Sequence, residues 1–144
     1  MRRKRKILIV DDEEFVRAAV RRILEFNNYS IIEALSGPEA LKKLSEKPDL
    51  IIADYHLGGM SGLCLLIEIR KASDIPIIML TADSSQKIAV QWFREGGNDF
   101  IHKPFDSDFL LVVVERTLRY AAAMRAMMSQ PTKTRKPRSK RSSK

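Results

Sequence analysis

This chain of 144 residues has little of the chemistry that staples or metallates a protein: one cysteine and two histidines. A single cysteine, Cys64, excludes an internal disulfide and fits the cytoplasm. Lying within an apolar helical pattern, it is expected to pack as a small apolar residue. His56 and His102 cannot complete a zinc site without further nitrogen or sulfur ligands, and are expected to face solvent or pack. The glycines are as sparse, six in all. Gly58, Gly59 and Gly62 match neither common spacing of a phosphate-cradling loop, and a turn role is assigned to them. The longest purely aliphatic or aromatic run, FLLVVV at 109–114, falls far below the roughly 20 residues that cross a bilayer. The first apolar run stops at Asp11, too early for an export signal.

What is present is a rhythm. Short apolar runs alternate with longer amphipathic stretches from residue 7 to about residue 120, the pattern of βαβ units. Five runs read as strands: KILIV (6–10), YSIIEAL (29–35), DLIIA (49–53), IPIIML (75–80) and NDFIHK (98–103). Three are continuously apolar, as strands covered on both faces are. Helical spacing joins Phe15, Ala18, Ala19, Arg22, Ile23 and Phe26, then Ala40, Leu41 and Leu44, then Leu63, Leu66, Ile67 and Ile69. Ser36-Gly37-Pro38-Glu39 and Asp106-Ser107-Asp108 read as helix starts, Asn27-Asn28 and Gly96-Gly97 as stops. The expected fold is α/β: a doubly wound, five-stranded parallel sheet in the order 2-1-3-4-5 with five helices, flavodoxin-like.

In such a sheet ligands gather beyond the carboxyl ends of the strands, where strand order reverses. The residues there are Asp11, Asp12, Asp54, Thr81 and Lys103. Two like charges about 4 Å apart repel by on the order of 4 kcal/mol at an effective dielectric near 20, so three carboxylates need a cation among them. All-oxygen ligands point to Mg²⁺, which keeps several waters and binds through one or two carboxylates plus phosphate oxygens. Lys103 adds a positive charge and Thr81 a hydroxyl donor. An incoming phosphoryl group would satisfy the metal and both donors together.

Four motifs occur in register: IVDD at 9–12, DYHLGGMSG at 54–62, MLTAD at 79–83 and FIHKPF at 100–105. Over residues 5–122 the chain resembles the receiver domain of two-component response regulators, with the chemotaxis regulator's fold. The resemblance implies that Asp54 is the phosphoacceptor, taking a phosphoryl group from a phosphohistidine of a sensor kinase or phosphotransfer protein. It implies Asp12 as direct Mg²⁺ ligand, Asp11 as a partner acting largely through water, and the backbone carbonyl of His56 as a third protein ligand. Lys103 would contact the phosphoryl oxygens, and its bond to Pro104 would be cis. Thr81 would move to the phosphoryl group and Phe100 would fill the vacated space, changing the face formed by the fourth helix, fifth strand and fifth helix, where a downstream protein binds. Leu57-Gly58 stands where the family often has Met-Pro, implying a more flexible loop. By the same resemblance, His56 and Asp83 occupy positions that in the family tune the phosphoryl lifetime.

Charge is uneven beneath a net +8. Residues 2–6 carry five cations and residues 133–144 seven, leaving 14 basic against 18 acidic residues between them, a net of −4. The expected division is a basic arm at 1–6, a receiver domain at 7–122, and a helix extension with a disordered basic tail at 123–144. The tail serves either solubility or nonspecific contact with nucleic acid or an anionic surface. The final helix run, SDFLLVVVERTLRYAAAMRAMM, is longer than the sheet needs, and Met124, Met127 and Met128 extend its apolar stripe toward a partner surface or a frayed end.

Three function classes compete. A cytoplasmic, stand-alone phosphorylation switch, not an enzyme beyond self-catalysed phosphorylation and dephosphorylation, uses every motif. A Mg²⁺-dependent phosphohydrolase resembling the haloacid dehalogenase superfamily would have to read its signature from Asp11-Asp12-Glu13 and would leave Asp54 idle. A nucleic-acid-binding protein acting through its basic tails would bind independently of Asp54.

Overall fold

The computed structural model describes residues 3–129. Five parallel strands form one sheet in the order β2-β1-β3-β4-β5: β1 Lys6–Val10, β2 Ser30–Ala34, β3 Leu50–Ala53, β4 Ile77–Thr81 and β5 Asp99–His102. Helices α1 Glu14–Phe26, α2 Gly37–Lys43, α3 Gly62–Arg70 and α4 Gln86–Arg94 make the four crossovers, and with α5 Ser107–Met128, which follows the last strand, they cover both faces. The expected sheet order and helix count stand.

Alternation along the strands divides the core in two. Leu8, Val10, Ile51, Ala53, Ile77 and Met79 turn to the face covered by α2, α3 and α4, packing on Leu65, Leu66, Ile69 and Trp92. Ile7, Ile9, Leu50, Ile52, Ile78 and Leu80 turn to the other, against Val20 and Leu24 of α1 and Leu110, Val113, Val114 and Leu118 of α5. Strands apolar at every position are therefore a requirement of this layering.

The caps follow the sequence signals. Ser36 accepts a hydrogen bond from the Glu39 amide, Ser61 from Cys64, and Asp106 from Phe109. Asn28 and Gly96 take positive φ (71° and 98°) where α1 and α4 end. Asn pays little and Gly no steric penalty there.

Two packing expectations fail. On α1 the buried side chains are Val20 and Leu24, while Phe15 and Phe26 are 85% and 89% exposed. The apolar residues of this helix occupy two stripes, and the aliphatic one faces the sheet. Cys64 is exposed because α3 turns Gly62, Leu65, Leu66 and Ile69 inward. The helix α5 runs on to Met128, through residue 122, where a helix extension was expected to begin. The predicted disorder of the basic tail concerns residues that lie almost wholly outside those described, as do Met1 and Arg2 of the arm.

Candidate functional site

The register of β1 with β3 pairs Val10 with Ala53, so Asp11 and Asp54 leave adjacent strands at the same level. The Asp54 amide donates to the Val10 carbonyl (3.0 Å) and the Asp11 amide to Ala34 (3.2 Å), which carries the ladder one residue past the strands. From β5, the Lys103 amide donates to the Thr81 carbonyl at 2.8 Å, and the Lys103–Pro104 peptide is cis. The Lys103 ammonium then lies 3.4 Å from Asp11 Oδ2 and 3.4 Å from Asp54 Oδ2. Both carboxylates are buried, with side chains 3% and 8% exposed.

Burial raises the pKa of Asp11, against the opposing pull of the Glu13 amide, which donates to its Oδ1 at 2.9 Å, and of Lys103. A carboxylate kept out of water beside a second one gains from any added positive charge. Asp54 Oδ1 receives the His56 amide at 3.4 Å. Asp12 is exposed and reaches toward Gly58, where an added Cβ would lie 4.0 Å from its Oδ2. Among the described residues no three His, Cys, Asp or Glu side chains are gathered closely enough to hold a metal ion together. The structure thus brings Asp11, Asp54 and Lys103 into contact and leaves Asp12 at the rim.

Thr81, fully buried at the end of β4, accepts the Asp83 amide on its hydroxyl at 3.2 Å. Asp83 also meets His56 Nε2 at 3.3 Å. The Ser85 amide, first among its partners, and His56 hold the Asp83 carboxyl below its usual range. Phe100 is half-buried and packs with Ile88 of α4 against the core. Both histidines are exposed.

Two further residues shape the site. Arg17, on α1, donates to the Asp11 carbonyl (2.8 Å) and to Glu33 Oε1 (2.9 Å), tying the loop after β1 to β2. Its signal was a basic residue one step from Val16 on the sheet-facing stripe. Gly62 does not serve a turn. It is the buried first residue of α3, and a Cβ there would collide with the Asp54 carbonyl oxygen and lie 3.0 Å from Tyr55 Cα. Gly59, at φ 84°, is the turn glycine of this loop.

This arrangement has relatives. A family model described as the response regulator receiver domain matches residues 7–115. The transcriptional regulatory protein ResD of Bacillus subtilis is 42% identical over 118 residues, 81% of this chain and 49% of its own length. The phosphate regulon transcriptional regulatory protein PhoB of Escherichia coli is 35% identical over 124 residues, 83% of this chain and 54% of its own. The chain therefore spans about half the length of these curated relatives. Among solved structures, a response regulator receiver domain protein from Methanospirillum hungatei superposes with a TM-score of 0.79 at 28% identity, covering 84% of this chain and 98% of that one. The chemotaxis response regulator CheY4 of Vibrio cholerae gives 0.74 at 30% identity, covering 79% and 98%.

Proposed function

Because the chain belongs to the response regulator receiver domain family, we propose that it is a signalling switch in which Asp54 accepts a phosphoryl group. The observation that carries this reading is the convergence of Asp11 and Asp54 on Lys103 at the carboxyl ends of β1, β3 and β5. An Asp54 carboxylate oxygen attacks the phosphorus of a phosphohistidine on a sensor kinase or phosphotransfer protein. The new O–P bond forms as the N–P bond breaks, and its electron pair returns to the imidazole. Lys103, already 3.4 Å from Asp54, stands beside the charge carried by the phosphoryl oxygens.

The donor chemistry fits a hard divalent cation: only oxygens are on offer, from Asp11, Asp12, Asp54 and the His56 carbonyl, beside a carboxyl that burial disfavours as an anion. Magnesium bound there would supply positive charge against carboxylate and phosphoryl oxygens alike.

The phosphoryl group adds nearly two negative charges and strong acceptors next to Thr81. Its hydroxyl leaves the Asp83 amide for the new acceptor, and Phe100 follows into the space. The face of α4, β5 and α5 then changes its preference for a downstream protein. The phosphohydrolase alternative gives Asp54 no task, whereas Lys103 is aimed at Asp54 as closely as at Asp11. The proposed cellular site is the cytoplasm, and among the described residues no helix is long and apolar enough to cross a membrane.

Amide hydrogen exchange tests the switch. With acetyl phosphate and Mg²⁺, exchange in α4, β5 and the start of α5 should change in the parent and not in Asp54→Ala. Thr81→Ala should still gain a phosphoryl group while losing the change at that face. An unchanged face in phosphorylated parent protein would contradict the reading.

A further inference from the structure

The pole opposite Asp54 carries charge of the other sign. All strands run the same way, so the residue before β2, the segment before β1 and the second half of α5 meet there. With five residues in β1 at about 3.3 Å each, this pole lies roughly 16 Å from the strand end that carries Asp11. Arg3, Lys4 and Arg5 from the segment before β1 and Arg119 from α5 line a groove of about 590 Å³ together with Tyr29 and Glu115. Arg3 is paired with Asp49 at 2.9 Å. Lys4, Arg5 and Arg119 have no carboxylate within ion-pair distance among the described residues. Tyr29 packs at the edge of the α1–α5 core. Burial, with the nearby Glu115 charge, pushes its phenol up, so it stays a neutral hydroxyl donor.

We propose that this groove binds the phosphate backbone of a single-stranded nucleic acid without base preference. Positive charge lines the groove, and the sequence carries seven further cations in residues 133–144. A compact anion is satisfied by two or three cations, whereas Lys4, Arg5 and Arg119 of the groove together with the seven cations of residues 133–144 exceed what one anion needs and suit a chain of phosphates. A bilayer offers a plane and is met by protruding groups, while a groove admits a strand. Unlike contact through the tail alone, this assigns a part of the folded domain to the ligand. It stands independently of phosphoryl transfer, because the groove shares no residue with the Asp54 site.

Fluorescence anisotropy of a labelled oligothymidylate of about 20 nucleotides, with the full chain, tests it between about 50 and 200 mM salt. The parent should bind and weaken steeply with salt. Reversing three cations in Lys4→Glu/Arg5→Glu/Arg119→Glu should cost at least about tenfold in affinity at the lower salt. It should also flatten the log–log salt slope by about 2, from roughly 0.7 per phosphate contact. Glu115→Gln, which removes the groove's own carboxylate, should tighten binding about twofold or more, a gain that misfolding cannot imitate. Equal binding by parent and triple variant, with no gain in Glu115→Gln, would place any contact outside the groove and overturn the proposal. So would displacement of the oligonucleotide by poly-glutamate at equal charge, or retention on phosphatidylglycerol vesicles without oligonucleotide binding.

Discussion

Replacing Lys103 by Met removes an ammonium that lies 3.4 Å from each of two buried carboxylates. At 3.4 Å and an effective dielectric near 20, each contact carries about 5 kcal/mol of Coulomb attraction before the lysine's own desolvation is charged against it. The observable loss is smaller, because the variant can escape by protonating one carboxylate. From an ordinary Asp value of 3.8, protonation costs about 4 kcal/mol at pH 7 and about 1.6 kcal/mol at pH 5, which caps the loss at each pH. Asp11 is the group to take the proton, since burial already raises its pKa and removal of Lys103 raises it further. A carboxyl whose folded pKa exceeds its unfolded value stabilises the fold below the unfolded pKa and loses that contribution as pH rises through the folded pKa. The deficit of Lys103→Met relative to the parent, from urea unfolding, should therefore grow from pH 5 to pH 7 by about 2 kcal/mol. Added Mg²⁺ should recover part of it at pH 7, by mass action on the folded state. An equal deficit at both pH values would mean that only packing was lost and would refute the electrostatic account.

Gly62→Ala drives a methyl into the Asp54 carbonyl, which is backbone and cannot step aside. It should cost about 2–3 kcal/mol in urea unfolding and slow phosphorylation of Asp54, measured as the rate of mass gain. Arg17→Met strips hydrogen bonds from the Asp11 carbonyl and Glu33, for a loss of about 2–3 kcal/mol at pH 7. Partial burial pushes Glu33 up, but Arg17 and Arg21 outweigh it and hold the carboxyl below its ordinary 4.5. That contribution is present above pH 4.5 and is lost as pH falls through the lower folded value, so the gap between parent and variant should narrow in acid.

Strand positions were legible because apolar runs between turn signals have few alternatives, and the ends of β1, β3 and β5 delivered Asp11, Asp54 and Lys103 together as the topology requires. The caps at Ser36 and Asp106 were equally readable, since each needs only a local acceptor. What periodicity could not decide was which of two apolar stripes on α1 faces the sheet. Phe15 and Phe26 lost to Val20 and Leu24, which lie against strands that the helix meets only in the folded chain. The same limit hid Arg17 and Gly62, whose roles depend on a carbonyl 6 residues away in one case and a loop closing on itself in the other. Asp12, expected beside the other carboxylates from the strand order, stands exposed at the rim, because successive residues beyond a strand diverge and only one of the pair can turn inward toward Lys103.

The central claim is that Asp54 takes the phosphoryl group. Intact mass after incubation with acetyl phosphate and Mg²⁺ tests it most directly. The parent should gain a single phosphoryl group and Asp54→Ala none; equal gain by both proteins, or none by the parent even with a phosphohistidine donor, would contradict the account.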